Sequence, residues 1–163
     1  MSKSIQTLVD DIYTLMTSRD VPEGGDVEAE IDRFGEAMKE LMKKKFKPAA
    51  VKDTRRLRLS AIGKDDRQLC YSYNPYEREE LKPHTYIKFM YGHMIEELIL
   101  FLTRLSGHTV EDEQKLCQVE GVKGSMDARI DGRLVDVKST CTFGFKKFTD
   151  AKLAYVDAFG YVE

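Results

Sequence analysis

The residues with the clearest chemical potential are two aspartates and a lysine, Asp127, Asp136 and Lys138, which flank an Asp-Gly pair at 131–132. An Asp-Gly pair between two segments of alternating polarity is the strongest short-range signal for a β-hairpin with a two-residue turn. In that register Asp127 lies opposite Asp136, with roughly 5 Å between their Cβ atoms. Lys138 projects from the same face, because side chains alternate along a strand.

Two facing carboxylates repel each other unless something neutralises them, and a divalent cation does so. Mg²⁺ takes oxygen ligands from one or two carboxylates together with water and substrate phosphate. Beside such a cation, the Lys138 ammonium can hold or deprotonate the attacking water, or stabilise the charge that develops on the phosphate. The pattern therefore favours metal-assisted phosphodiester hydrolysis. The alternative is an ordinary hairpin with a charged, solvated face, and a one-residue slip of register would also separate the two acids.

The hairpin must be held by the elements around it, and apolar periodicity predicts these elements. Spacing typical of amphipathic helices covers residues 5–16, 26–42 and 85–105, the third with a broad apolar face that we expect to be well buried. Alternation predicts strands at 115–120, 124–130 and 133–140, before a Phe-rich loop at 143–148 and a last helix from about residue 150. This order predicts an α+β, or mixed α/β, fold class.

Composition narrows the class of protein. The chain has 163 residues, the usual size of one domain, and its 26 basic and 28 acidic side chains nearly cancel. Three cysteines without CxxC spacing argue against a disulfide scaffold and fit a reducing cytoplasm, where we expect the protein to act. No apolar run approaches the ~20 residues of a membrane helix. The stretch from Lys43 to Arg58 is strongly basic, either as a solvated helix end or as a phosphate-facing patch.

The hairpin motif resembles that of a known family. Asp127 followed by Asp136-Val137-Lys138 is similar to the signature of PD-(D/E)XK nucleases, in which a hairpin supplies an aspartate and the (D/E)xK triplet. Upstream, the Gly-xxx-Glu motif that ends at Glu96 resembles the helix motif of the RecB-like and lambda-type phage exonuclease branch. A further segment resembles the Ser-x-x-Gly…Arg-Gln-Leu-x-Tyr stretch that precedes this helix in the same branch, here from Ser60 through Arg67 to Tyr71.

The resemblance implies a Mg²⁺- or Mn²⁺-dependent DNA exonuclease of the phage recombination or replication type. It implies that the metal is bound by the side chains of Glu96, Asp127 and Asp136 and by the backbone carbonyl of Val137, with Lys138 as the catalytic lysine. DNA contacts are expected from Ser60, Arg67, Lys146 and Lys147. His93 and Glu97 are alternative metal ligands on the same helix.

The sequence departs from the family pattern in two places. Asp65-Asp66 stands where iron–sulfur members carry a cysteine before the motif arginine, so we expect no iron–sulfur cluster. The chain ends near the position of the family's Gln-xxx-Tyr motif, so we expect a small central sheet that is incomplete at its C-terminal edge. We expect one nuclease domain over 1–163, with a helical and basic part at 1–58 and the nuclease core at 59–163.

Three functional alternatives follow from these patterns. The first is the exonuclease, with DNA as its partner and no membrane association. The second is a structure-selective endonuclease of the same superfamily. The third is a non-catalytic nucleic-acid-binding module, in which salt bridges hold the carboxylates. Oligomeric state is left open by the sequence.

Overall fold

The fold belongs to the α+β class, as the sequence predicts. The computed structural model describes residues 3–47, 57–74, 80–140 and 142–149. The helices in these ranges are α1 (Leu8–Ser18), α2 (Val27–Phe46), α3 (Asp66–Tyr73), α4 (Pro83–Leu105) and α5 (Thr142–Thr149), with short 3₁₀ turns at Ile5–Thr7 and Leu59–Ala61. The strands are β1 (Val110–Glu111), β2 (Leu116–Val119), β3 (Val122–Ser125), β4 (Ala128–Ile130) and β5 (Arg133–Val135).

Two small antiparallel sheets carry the strands. Strands β1, β4 and β5 form the first sheet in the order β1-β4-β5, and β2 pairs with β3 in the second. The core lies where the C-terminal half of α4 packs on the first sheet, with Leu100, Ala128 and Ile130 almost fully buried. Ile5 and Leu8 pack against this cluster. The first helix therefore closes the core that carries the hairpin.

Local capping explains where the helices begin. Asp26 accepts a hydrogen bond from the Ala29 N–H (3.0 Å) and so caps α2, as the sequence predicts. Asp65 caps α3 in the same way through the Arg67 N–H (2.7 Å), and Pro83 occupies the first turn of α4, where no N–H is needed. Among the described residues, no helix is both long and apolar enough to span a membrane.

The predicted Asp-Gly hairpin is confirmed. Asp131 and Gly132 both have positive φ (47° and 78°), as a two-residue turn of this type requires. The register is also the expected one, with Ile130 paired to Arg133 and Ala128 paired to Val135. Because this register puts Ala128 and Ile130 on the core face, the alternate positions are left for polar side chains.

The predicted strand at 124–130 is divided in the structure. Glu120 and Gly121 have positive φ (47° and 79°) and form a second two-residue turn, which pairs Val119 with Val122. The chain consequently leaves one hairpin after Ser125 and enters the other at Ala128. Strand β5 also ends at Val135, well short of the predicted residue 140.

Three further predictions differ from the structure or concern residues that it does not describe. The expected loop at 143–148 is wrong, because these residues lie in α5. The apolar face of α4 is less buried than expected, with Ile87 50% and Leu98 42% exposed. The helix predicted from about residue 150 lies outside the described residues, as do positions 48–56 of the basic stretch.

A buried histidine fastens α1 to the hairpin turn, and we call this set of contacts the His108 clasp. The His108 side chain is fully buried, with Nδ1 2.6 Å from Asp131 Oδ2 and Nε2 3.0 Å from Asp11 Oδ2. Hydrogen bonds from the Thr7 hydroxyl and then from Lys3 hold the pKa of Asp11 below its usual value.

Candidate functional site

The two aspartates of the hairpin lie just beyond the end of its strand ladder. The last regular pair is Ala128 with Val135, and the chain then continues to Asp127 on one side and Asp136 on the other. Asp127 Oδ2 accepts a hydrogen bond from the Val137 N–H (3.0 Å), so this carboxylate reaches across to the opposite segment. The hairpin therefore fixes Asp127 through a backbone donor of the (D/E)xK triplet.

Asp136 and Lys138 form an ion pair on the surface of the hairpin. Lys138 Nζ donates to Asp136 Oδ1 at 2.6 Å, and both side chains are about half exposed. Residues two apart on an extended segment share a face, which explains why the two groups meet. The sequence-based prediction that the amine lies beside this acid is confirmed.

Glu96 approaches this region from α4. Its side chain is buried although it carries a carboxylate, with only 8% of the residue exposed. Gln114 Nε2 donates to Glu96 Oε1 at 2.5 Å, and the Gln114 backbone N–H donates to the Asp127 carbonyl at 2.9 Å. Gln114 thus links the helix carboxylate to the hairpin residue that carries the second acid.

The electrostatic environment of Glu96 indicates that Glu96, Asp127 and Lys138 lie near one another. Burial raises the pKa of Glu96, and the negative charge of Asp127 raises it further. The pKa of Glu96 is lowered by the Gln114 amide, His93 and Lys138, but these effects are smaller than the two that raise it. Two acids and the lysine of the predicted motif therefore lie within electrostatic range of one another.

The segment that follows Lys138 lies beside α4 at Gly92. A Cβ atom added to Gly92, one turn before Glu96, would lie 3.6 Å from Ser139 Oγ, which is an ordinary van der Waals distance. The residue after the catalytic triplet of the predicted motif is therefore near the helix that carries Glu96, and the space at Gly92 would also accept alanine.

The donor set suits a hard divalent cation. Carboxylate oxygens and a backbone carbonyl are the ligands that Mg²⁺ and Mn²⁺ prefer. In the part of the chain that the structure describes, no three His, Cys, Asp or Glu side chains are arranged as a metal-binding group.

The two alternative ligands on α4 occupy different positions. His93 Nδ1 lies 3.7 Å from Glu96 Oε2, and its side chain is half exposed. Burial raises the pKa of Glu97, as do the charges of Glu96 and Glu113, whereas Arg104 lowers it. His93 therefore adjoins the candidate site, while Glu97 also interacts with charges near the C-terminal end of α4.

The predicted DNA-contacting residues lie on separate segments. Ser60 is exposed in the 3₁₀ turn that packs against β3 through Leu59 and Gly124. The Arg67 guanidinium lies over the Tyr71 ring, 5.8 Å from its centroid. Among the described residues, no hydrogen bond or ion pair joins either one to Glu96, Asp127 or Asp136.

The remaining two predicted contacts lie beyond the hairpin. Lys146 and Lys147 fall in α5, which follows the (D/E)xK triplet directly, and Lys146 is exposed. Their role stays a prediction.

Sequence reasoning missed two residues that shape this site. Gln114 lies in a short turn with positive φ (49°), and no sequence motif indicates that its amide reaches Glu96. His108 follows the end of α4 as an isolated histidine, and its contacts with Asp11 and Asp131 span 97 and 23 positions. Long-range pairing of this kind leaves no periodic pattern in a single sequence.

Comparison of the chain with models of protein families, with curated proteins and with solved structures finds no match. The structural description of the site therefore stands on the contacts given above.

Replacing Glu96 with glutamine should stabilise the metal-free protein. At neutral pH and in the presence of a chelator, we expect Glu96→Gln to raise Tm by roughly 2 °C or more, because a buried carboxylate beside Asp127 becomes neutral. The Gln oxygen can still accept from Gln114. Thermal melts with added Mn²⁺ supply the second measurement: the wild type should gain stability and the variant should gain less. A Tm below that of wild type without metal would contradict the prediction.

Proposed function

We propose that this protein is a Mg²⁺- or Mn²⁺-dependent DNA exonuclease of the PD-(D/E)XK type. The observation that carries the proposal is the buried carboxylate of Glu96, placed within electrostatic range of Asp127 and Lys138. Burying an acid near a second acid costs stability, and a site for a cation offers a reason to retain it. The likeness of the motifs to those of phage exonucleases supports the same function.

Each residue has a chemical role in this proposal. Glu96, Asp127, Asp136 and the Val137 carbonyl would hold the cation, which supplies Lewis acidity and a more acidic bound water. Lys138 would hold the attacking water or stabilise charge on the phosphate, starting from its position 2.6 Å from Asp136 Oδ1. Gln114 keeps Glu96 oriented through its hydrogen bond. Ser60, Arg67, Lys146 and Lys147 would contact the DNA backbone.

Removal of the metal tests the proposal directly. We expect the full chain to shorten end-labelled linear DNA with Mg²⁺ or Mn²⁺, to lose at least 100-fold in rate with a chelator, and to recover when Mn²⁺ is added in excess. Metal-centred hydrolysis requires the ion, so the loss should be nearly complete. Cleavage that persists in the chelator would contradict the proposal.

A covalently closed circle separates the exonuclease from the endonuclease alternative. An enzyme that needs an end leaves the circle intact while it degrades the same DNA after linearisation. Conversion of the circle to nicked or linear forms would favour the structure-selective endonuclease.

The ion pair between Asp136 and Lys138 favours one second candidate, a non-catalytic nucleic-acid-binding module. In that case the lysine neutralises the acid permanently and no cation is required. Such a module should bind DNA, fail to cleave it, and show no rise in Tm with Mn²⁺. The nuclease should show both cleavage and a metal-dependent rise in Tm.

A further inference from the structure

An aromatic surface continues from the candidate site along α4. Phe89 precedes Glu96 by seven residues, which is two helical turns, so the two side chains lie about 20° apart around the helix axis. Tyr86 lies one turn further towards the N-terminus of the helix and about 80° from Glu96. Phe89 is 51% exposed and Tyr86 58% exposed, although both are large and largely apolar. We call Tyr86 and Phe89 the aromatic ridge.

The ridge is continuous with the carboxylate region. On the side of α4 that carries Glu96, the preceding turn holds His93 and Gly92, and the turn before that holds Phe89. Ser139 lies beside Gly92. A strand of nucleic acid whose phosphate lies at the carboxylates would therefore meet Phe89 within one or two nucleotides. On the other side of Glu96, towards the C-terminus of α4, Leu100 is buried against the first sheet.

The charge around the ridge favours a polyanion. The helix carries no aspartate or glutamate between Pro83 and Ile95. It carries Lys88 next to Phe89, and Lys82 stands at its N-cap, two residues after the exposed Glu80. Both lysines are exposed. An aromatic surface with cations at its edges is the arrangement that binds unstacked bases while it neutralises their phosphates.

We propose that the aromatic ridge is a base-stacking subsite for single-stranded nucleic acid that leads into the carboxylate region. The inference rests on the proposed function, because it places the reacting phosphate at Glu96, Asp127 and Asp136. It goes beyond that function by assigning the form of the substrate. In a duplex the faces of the bases are covered by their neighbours, so only an unpaired strand can stack on Phe89.

Equilibrium binding tests this subsite without requiring cleavage. The probes are a fluorescein-labelled oligo(dT) strand and an abasic phosphodiester strand of equal length, each titrated with the full chain at low salt in a chelator. We expect the wild type to bind oligo(dT) roughly fivefold or more tightly than the abasic strand, because each stacked base adds affinity that phosphates alone do not supply. Phe89→Leu should lose most of this preference, and Phe89→Trp should retain it.

Matched variants separate stacking from folding. Phe89→Leu keeps an apolar side chain, and its Tm should stay close to that of the wild type. Tyr13→Leu removes an aromatic ring that is 67% exposed on a different helix, α1, and should leave the preference for oligo(dT) unchanged. If Phe89→Leu lowers Tm strongly and weakens both strands equally, the ring serves folding and the inference is overturned.

The remaining outcomes are equally decisive. Equal affinity of the wild type for oligo(dT) and the abasic strand, tighter binding of duplex than of single strand, or no binding at all would each overturn the subsite. The wild type could prefer oligo(dT), lose that preference in Phe89→Leu, and yet never cleave DNA. That combination would support the subsite and contradict the nuclease proposal. Cleavage with no effect of Phe89→Leu on binding would leave the nuclease in place and remove the subsite.

Discussion

Lys138→Met should reduce DNA cleavage by roughly 100-fold or more while the protein stays folded. The side chain of methionine keeps the apolar length of lysine but cannot hold a water, transfer a proton or stabilise charge on the phosphate. Positioned acid–base groups commonly contribute about 10²–10⁴ in rate, which sets the scale of the loss. The measurement is the initial rate of release of labelled nucleotides from linear DNA with saturating Mn²⁺.

The chain offers a well-matched control for this substitution. Lys115 is also exposed and pairs with a nearby aspartate, Asp112, at 2.8 Å, as Lys138 pairs with Asp136 at 2.6 Å. Lys115→Met should change the rate by less than about threefold, because it lies outside the predicted motif. The wild-type rise in Tm with Mn²⁺ should persist in both variants, since neither loses a carboxylate. Equal cleavage rates for Lys138→Met and the wild type would contradict the proposal that Lys138 is the catalytic lysine.

His108→Ala should be among the most destabilising single changes available outside the apolar core. It removes a fully buried ring and leaves the Asp131 carboxylate, whose side chain is only 8% exposed, without its hydrogen bond to that ring. Breaking a buried pair on one side typically costs about 3–5 kcal/mol, a large part of the 5–15 kcal/mol that folds an ordinary domain. Urea unfolding at neutral pH, followed by circular dichroism, gives the free energy of unfolding for each variant.

Two comparisons keep this prediction specific. His84 is exposed at the start of α4, and His84→Ala should change the free energy of unfolding by no more than about 0.5 kcal/mol. Adding Asp131→Asn to His108→Ala should recover part of the loss, because asparagine removes the stranded charge and tolerates the positive φ of 47° at this position. A loss from His108→Ala as small as that from His84→Ala would show that the clasp contributes little.

The parts of the fold that the sequence predicts well are those with local causes. The hairpin at Asp131-Gly132 and the capping of α2 by Asp26 each depend on residues within a few positions. The turn at Glu120-Gly121 has the same cause, but Glu is an uncommon residue at positive φ, so its signal was weaker. The extent of burial along α4 was not predictable, because it depends on where the sheet ends.

The candidate site likewise combines contacts with local causes and contacts between distant segments. The contact of Lys138 with Asp136 agrees with the alternation read from the sequence, although both residues follow the end of β5. The approach of Glu96 to Asp127 depends on how α4 packs on the first sheet, which the family resemblance suggested and periodicity alone did not. Gln114 bonds to the Glu96 carboxylate through its side-chain amide and to the Asp127 backbone carbonyl through its own N–H, and only the three-dimensional structure reveals this link.

The His108 clasp has a consequence for how related sequences can diverge. Asp11, His108 and Asp131 come from the first helix, the segment after the longest helix and the hairpin turn, and the imidazole bonds to both carboxylates. Loss of the imidazole removes a hydrogen-bond partner from both acids, and loss of either acid leaves one nitrogen of the buried ring without its partner. Across an evolutionary lineage the three positions should therefore be inherited or exchanged as a set, and single replacements should be rare.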